Sequence, residues 1–390
     1  MIEGRQSHPL IYMDHAATSW PKPPEVMQAM QDALMHAAAN PGRGSHRMAV
    51  EASRVLFQTR RAISRLFQVH NPNDVVFTHN TTGALNLAIK GLLREGDHVV
   101  ATMVEHNSVR RPLEYLKRTL GIQVEYIPVN SRGELDMMKL EAAVARRPKL
   151  VVCSHSSNLL GSILPVAEIG YLAHKHGAVF LVDAAQSAGC MDMDVAAMQV
   201  DLLAFPGHKG LLGPQGTGGL YISPSIELEP LVHGGTGSQS EELEQPMVRP
   251  DRYEAGTPNT IGIAGLRAGV EKVMECSVQQ IYQHEWGLTQ HIMEGLSDVR
   301  GVRILGPEKG APRTGIVSFV SSEMDSSEIA FRLDREYGIA VRAGMHCTPL
   351  AHEAVDTLAT GAVRASVGSS TTVDEADQLI EALHAICGRV

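Results

Sequence analysis

Five short polar runs carry most of the residues able to do chemistry. They are Thr78-His79-Asn80-Thr81-Thr82-Gly83, Val104-Glu105-His106-Asn107-Ser108, Ser154-His155-Ser156-Ser157-Asn158, Asp183-Ala184-Ala185-Gln186-Ser187 and Pro206-Gly207-His208-Lys209-Gly210. Each follows a short apolar run. Thr81 and Thr82 open a helical pattern, and free N–H groups with adjacent hydroxyls suit a phosphate. An ordinary helix cap explains the same residues. His106 offers a flat ring, although a lone histidine is more often a loop or capping residue than a catalytic one. Asp183 ends an apolar strand, where an acid is costly to bury unless a cation pairs with it. The plainer reading is a solvent-exposed cap. Lys209 at the mouth of a buried sheet can act as an amine nucleophile, or it is a surface lysine. Singly, the plain readings suffice; five coincidences at one sheet edge call for more. A phosphate cradle, an anion for a cationic ring nitrogen, an amine for a Schiff base and a flat ring are what pyridoxal phosphate requires. There is no Walker A pattern. The glycines of 210–219 do not form GxGxxG between a strand and a helix, which speaks against a nicotinamide dinucleotide.

A sixth run, Val341-Arg342-Ala343-Gly344-Met345-His346-Cys347-Thr348-Pro349, sets one cysteine behind a histidine in a small-residue, turn-forming loop. From the loop alone, Cys347 is a nucleophile, a metal ligand, a redox switch or a small buried residue.

The elements around these runs indicate an α/β chain. Between about Asp74 and Tyr221, strand-like stretches at 75–77, 98–101, 123–126, 150–153, 179–182 and 202–205 alternate with helical patterns. Such alternation predicts a mostly parallel sheet covered on both faces, with its ligand beyond the carboxyl ends of the strands. Past Gly265 the order changes. A long helix over 261–296, a strand at 316–319, a helix at 327–337, the Cys347 loop, a strand at 362–366 and a helix at 372–386 suggest a smaller α+β domain. Residues 16–275 are thus expected to form a large cofactor-binding domain, and 1–15 with 276–390 a small one. The Gly234–Gly237 tract reads as an exposed loop.

Composition narrows the classes further. The chain has 390 residues, a natural size for two domains, with 44% hydrophobic and 20% charged residues. Its net charge of −9 argues against nucleic acid and against a polybasic membrane surface. No apolar run reaches spanning length, and the N-terminus lacks the apolar core of a signal peptide. Cys153, Cys190, Cys276, Cys347 and Cys387 are odd in number and contain no CxxC pair. That pattern suits a reducing cytoplasm and supports neither a disulfide framework nor a metal site. Ile2-Glu3-Gly4-Arg5 matches a protease-recognition sequence of the kind used in protein expression.

Asp183-Ala184-Ala185-Gln186 followed by Gly207-His208-Lys209 resembles the cofactor signature of class V aminotransferase-fold enzymes. Tyr253-Glu254-Ala255-Gly256-Thr257-Pro258-Asn259, the Cys347 loop and Met13-Asp14-His15-Ala16-Ala17-Thr18 narrow the resemblance to the cysteine desulfurase and selenocysteine lyase branch with a short catalytic-cysteine loop. The resemblance implies fold type I and pyridoxal 5'-phosphate. Lys209 would bind the cofactor and move the substrate Cα proton. Asp183 would face the pyridine nitrogen, Gln186 the phenolic oxygen and His106 the ring face. Thr81, Thr82 and His208 would hold the phosphate, Asn158 would lie near the ring oxygen and the substrate, and Arg364 would clamp the substrate carboxylate. Its plainer reading is a surface salt bridge. Thr257 would reach the cofactor of the other subunit, which requires a homodimer. The implied reaction converts L-cysteine to L-alanine and leaves a persulfide on Cys347, for delivery to a sulfur-acceptor protein.

The alternatives are a selenocysteine lyase acting on L-selenocysteine, a β-lyase, an aminotransferase, a metal-binding or redox-sensing protein, and a non-catalytic scaffold. Three departures from the family pattern stand out. Pro206 replaces a phosphate-binding Ser or Thr, a loss that Ser187 could offset. Met345 replaces a common second histidine, and His15 replaces a frequent asparagine.

Overall fold

The run Val179–Asp183 explains the main sheet in miniature. Phe180 and Val182 pack into one buried cluster and Leu181 into another on the opposite face. Val151 and Cys153 against Leu150 and Val152, and Leu203 and Phe205 against Leu202 and Ala204, repeat the alternation. This is the period of two of a strand buried on both sides. In the computed structural model, which describes residues 10–42 and 44–388, these strands are the centre of a seven-stranded sheet. The Ile2–Arg5 match lies outside the described residues.

The strand order is Val75–Thr78, Gly218–Ile222, Leu202–Pro206, Val179–Asp183, Leu150–Ser154, His98–Thr102, Gln123–Ile127. Gly218–Ile222 runs antiparallel to both neighbours, and the other pairs are parallel. The sequence reading contains no strand at Gly218–Ile222, because paired glycines argue against one. Here they are required. A Cβ at Gly219 would stand 2.4 Å from the Phe205 ring, and one at Gly218 would stand 2.8 Å from the Phe205 carbonyl.

A second, antiparallel sheet has the order Arg342–Gly344, Ala362–Ser366, Ile316–Ser321, Val302–Leu305. Helices Val278–Ser297, Ser326–Tyr337 and Val373–Cys387 cover it through Leu288, Ile292, Leu333, Leu379 and Leu383. The N-terminal strand Ile11–Tyr12 joins this part of the molecule by pairing with Ile339–Ala340.

Two expectations are corrected. The helix expected over 261–296 is two helices, Thr260–Cys276 and Val278–Ser297. Ser277 between them has φ of 69°, a left-handed residue that ends one helix and redirects the next. The segment before Cys347 is not wholly loop, since Arg342–Gly344 pairs with Ala362–Arg364 as an edge strand.

Candidate active site

The parallel strands deliver their following polar runs to one place, a cavity of about 230 Å³. Thr81, Thr82, His106, Asn158, Asp183, Gln186, His208, Lys209 and Arg364 all line it. Of the residues expected at the site, only Cys347 and Thr257 are outside this lining.

Helix Thr81–Leu92 points its N-terminus at the cavity. Asn80 caps it, its side chain accepting from the Gly83 N–H at 2.9 Å. Thr82 and Ser108 share a hydrogen bond of 2.8 Å, and Ser108 meets His106 Nδ1 at 2.9 Å. This hydroxyl chain links the helix N-terminus to the imidazole. Burial, and then the nearby Lys209 cation, lower the His106 pKa to about 4, so its ring is neutral at neutral pH. His208 is lowered to about 4 by burial as well, and its Nδ1 lies 3.1 Å from Thr18 Oγ1.

Asp183 ends its strand almost fully buried. The one hydrogen bond of its carboxyl among the described residues comes from the Ala185 N–H, at 2.9 Å. Burial raises its pKa to about 6 against the opposing effects of that bond and of Lys209. The ammonium of Lys209 has no hydrogen bond or ion pair among the described residues. Burial, followed by repulsion from Arg364, lowers its pKa to about 8. An under-partnered acid, an under-partnered amine and an open helix N-terminus around one cavity fit the acid-paired ring, carbonyl and phosphate of pyridoxal phosphate. Among the described residues no cluster of three metal-ligating side chains occurs.

Other expected residues have partners that the sequence did not suggest. Gln186 gives one amide N–H to the Ala16 carbonyl at 3.1 Å. Arg364 is 1% exposed, so it is not a surface ion pair. It donates to Asp14 at 2.8 Å and to the Asn158 carbonyl at 2.9 Å, while its Nε is buried without a partner. The Asn158 side chain donates to the His346 carbonyl at 2.6 Å, one residue before Cys347.

That bond is one of several holding the cysteine loop. The Asn107 N–H donates to the Cys347 carbonyl at 2.8 Å, and Thr348 Oγ1 donates to the Glu105 carbonyl at 3.1 Å. His346 and Cys347 have φ of 45° and 59°. Two consecutive non-glycine residues in the left-handed region are strained, by roughly 1–2 kcal/mol each, and persist because surrounding contacts over-determine them. The His346 Nε2–H donates to the Ala362 carbonyl (2.9 Å) and the ring stacks on His352. Met345 takes part through its backbone, its carbonyl accepting from the Thr348 N–H at 3.1 Å.

Sequence reasoning passed over four contributors. Asp14 and Arg342 were visible inside quoted motifs but carried no assigned role. Ser108 reads as a routine helix-start serine. Glu105 is fully buried beneath the site, accepting from Thr102 Oγ1 and from the N–H and hydroxyl of Ser154. Burial raises its pKa to about 7. Ser187 does not offset Pro206. It is fully buried, its hydroxyl lacks a partner among the described residues, and it is not part of the cavity lining. Ser108, Ser154 and Ser156 are part of that lining. Thr257 lines two neighbouring cavities, one of which shares Asn80 with the Lys209 cavity.

The class V aminotransferase family matches residues 11–379. A Methanothermobacter thermautotrophicus protein named "Probable cysteine desulfurase" is 38% identical over 386 residues, covering 97% of this chain and 95% of its own. A Shigella sonnei protein named "Cysteine desulfurase" is 33% identical over 389 residues, covering 97% and 93%. Among solved structures, the apo cysteine desulfurase of Thermococcus onnurineus is similar with a TM-score of 0.92 at 34% identity, covering 97% of this chain and 94% of that one. The Escherichia coli cysteine desulfurase CsdA follows with a TM-score of 0.87 at 26% identity, covering 97% and 96%.

Proposed function

Because this chain belongs to the class V aminotransferase family, we propose that it is a cysteine desulfurase that uses pyridoxal 5'-phosphate. The observation that carries the reading is the convergence of Lys209, Asp183, His106 and Arg364 on one cavity with the Cys347 loop hydrogen-bonded to its wall. When bound, the cofactor supplies a sink for the electron pair left on the substrate Cα after deprotonation.

The chain's own residues do the rest. The N–H groups at the start of helix Thr81–Leu92, the hydroxyls of Thr81 and Thr82, and His208 would hold the phosphate. Asp183 would pair with the ring nitrogen, His106 would pack on the ring and Gln186 would bond the phenolic oxygen. Arg364 binds the substrate carboxylate, where a guanidinium fork fits best, with Asn158 beside it. Lys209 anchors the cofactor and then moves the Cα proton. Cys347 attacks the substrate sulfur as a thiolate. The S–Cβ bond breaks as the S–S bond forms, and L-cysteine plus one thiol gives L-alanine plus one persulfide, without an external oxidant.

The reading extends to a division near residue 275, a homodimer in which Thr257 reaches the partner's cofactor, a cytoplasmic location and a sulfur-acceptor protein. Among the described residues no helix is long and apolar enough to cross a membrane. The test is to incubate the cofactor-loaded protein with L-cysteine and, separately, L-selenocysteine, and to measure alanine. Alanine from cysteine is expected. A keto acid in its place, with the cofactor converted to its amine form, would identify an aminotransferase. Alanine from selenocysteine alone would identify a lyase.

A further inference from the structure

Lys209 separates two cavities. Behind the site already described lies a smaller one of about 50 Å³, and the two share Ala16, Ala185, Gln186 and Lys209 in their walls. At roughly 10–15 Å³ per water, the rear cavity has room for about three to five waters. Glu285 of helix Val278–Ser297 also lines it. Glu285 is only 9% exposed, and its carboxyl makes no hydrogen bond or ion pair among the described residues. Gly315 leaves space for that carboxyl, since a Cβ there would stand 3.1 Å from Glu285 Oε2.

A carboxyl in such a place is costly unless it holds a proton and meets water. Burial raises the Glu285 pKa to about 8, the value to which Lys209 is lowered. The other titratable groups lining the rear cavity are His15 and Cys190. Burial lowers His15 to about 4 and raises the Cys190 thiol, so both are neutral and neither exchanges protons readily near neutrality. Glu285 and Lys209 are therefore the matched pair.

We infer that Glu285 is the proton reservoir for Lys209, connected to it through water in the rear cavity. The inference rests on the proton-moving role of Lys209 proposed above. With Lys209 as the free amine, the Glu285 O–H proton passes through the water to the lysine nitrogen and leaves a carboxylate and an ammonium. The reverse transfer restores both, and no electrons move. Glu285 touches neither substrate nor cofactor and acts through Lys209.

The experiment follows exchange of the Cα hydrogen of L-alanine in D₂O by NMR, with the cofactor-loaded protein. This exchange needs Lys209 but no sulfur chemistry, so its failure is separable from failure of desulfuration, which is read as alanine formed from L-cysteine. Glu285→Gln is expected to slow exchange roughly tenfold or more while keeping the cofactor absorbance, and Glu285→Asp to recover part of the rate. Infrared spectroscopy gives an independent readout. A protonated-carboxyl band present in the wild type at pH 7 should be missing from Glu285→Gln. Equal exchange rates, no exchange in the wild type, or a band unchanged by the substitution would each overturn the inference.

Discussion

Arg342 points its guanidinium at the sulfur of Cys347, with 3.7 Å between Nη2 and Sγ. The two residues are separated by a tight turn. Arg342 belongs to an edge strand and lines the cofactor cavity, while Cys347 follows in left-handed backbone. The guanidinium directs an N–H donor at the sulfur and fixes its position.

Arg342→Gln removes this contact and should slow alkylation of Cys347 by iodoacetamide several-fold. Labelling rates, read by mass spectrometry of the Cys347 peptide, check it. An unchanged rate would mean that the guanidinium does not act on the thiol.

Asn158 joins two halves of the site. Its carbonyl accepts from Arg364 and its side chain donates to the His346 carbonyl. Asn158→Ala removes the side-chain bond and leaves a buried carbonyl short of a donor, at a cost of about 1–3 kcal/mol. Persulfide formation should fall by more than cofactor occupancy does. The comparison is single-turnover sulfur transfer against the visible absorbance of the same sample.

Glu105 gives a signed pH effect. Its pKa is about 7 in the folded protein, raised first by burial, against an ordinary value of 4.5. A raised carboxyl pKa means that the folded state holds a proton the unfolded state has lost. Stability is fully present below about pH 4.5 and is lost as pH rises toward 7. The shift corresponds to about 3 kcal/mol. Glu105→Gln should flatten this loss between pH 5 and 8 in urea denaturation. Parallel curves for the two proteins would show that the carboxyl is solvated.

Much of the site was legible because each chemical residue directly follows an apolar strand. Asp183 and Lys209 stand at the ends of Val179–Asp183 and just past Leu202–Pro206, so the strand pattern alone placed them together. Residues acting across long sequence separations were hidden. Asp14 meets Arg364 over 350 positions, and Glu285 is one of two acids in a helix whose pattern does not distinguish a solvent face from a cavity wall. The break at Ser277 was missed because serine gives no signal for left-handed backbone, and Gly218–Ile222 because glycine signals the opposite of a strand. In both cases tertiary packing overrides local propensity.

The central claim is that Cys347 receives the sulfur. The most direct measurement is mass spectrometry of the Cys347 peptide after one turnover of the cofactor-loaded protein with L-cysteine. The account predicts a peptide heavier by one sulfur atom in the wild type, and none in Cys347→Ser, which should retain the cofactor absorbance. A Cys347→Ser protein that still converts L-cysteine to L-alanine at the wild-type rate would contradict it.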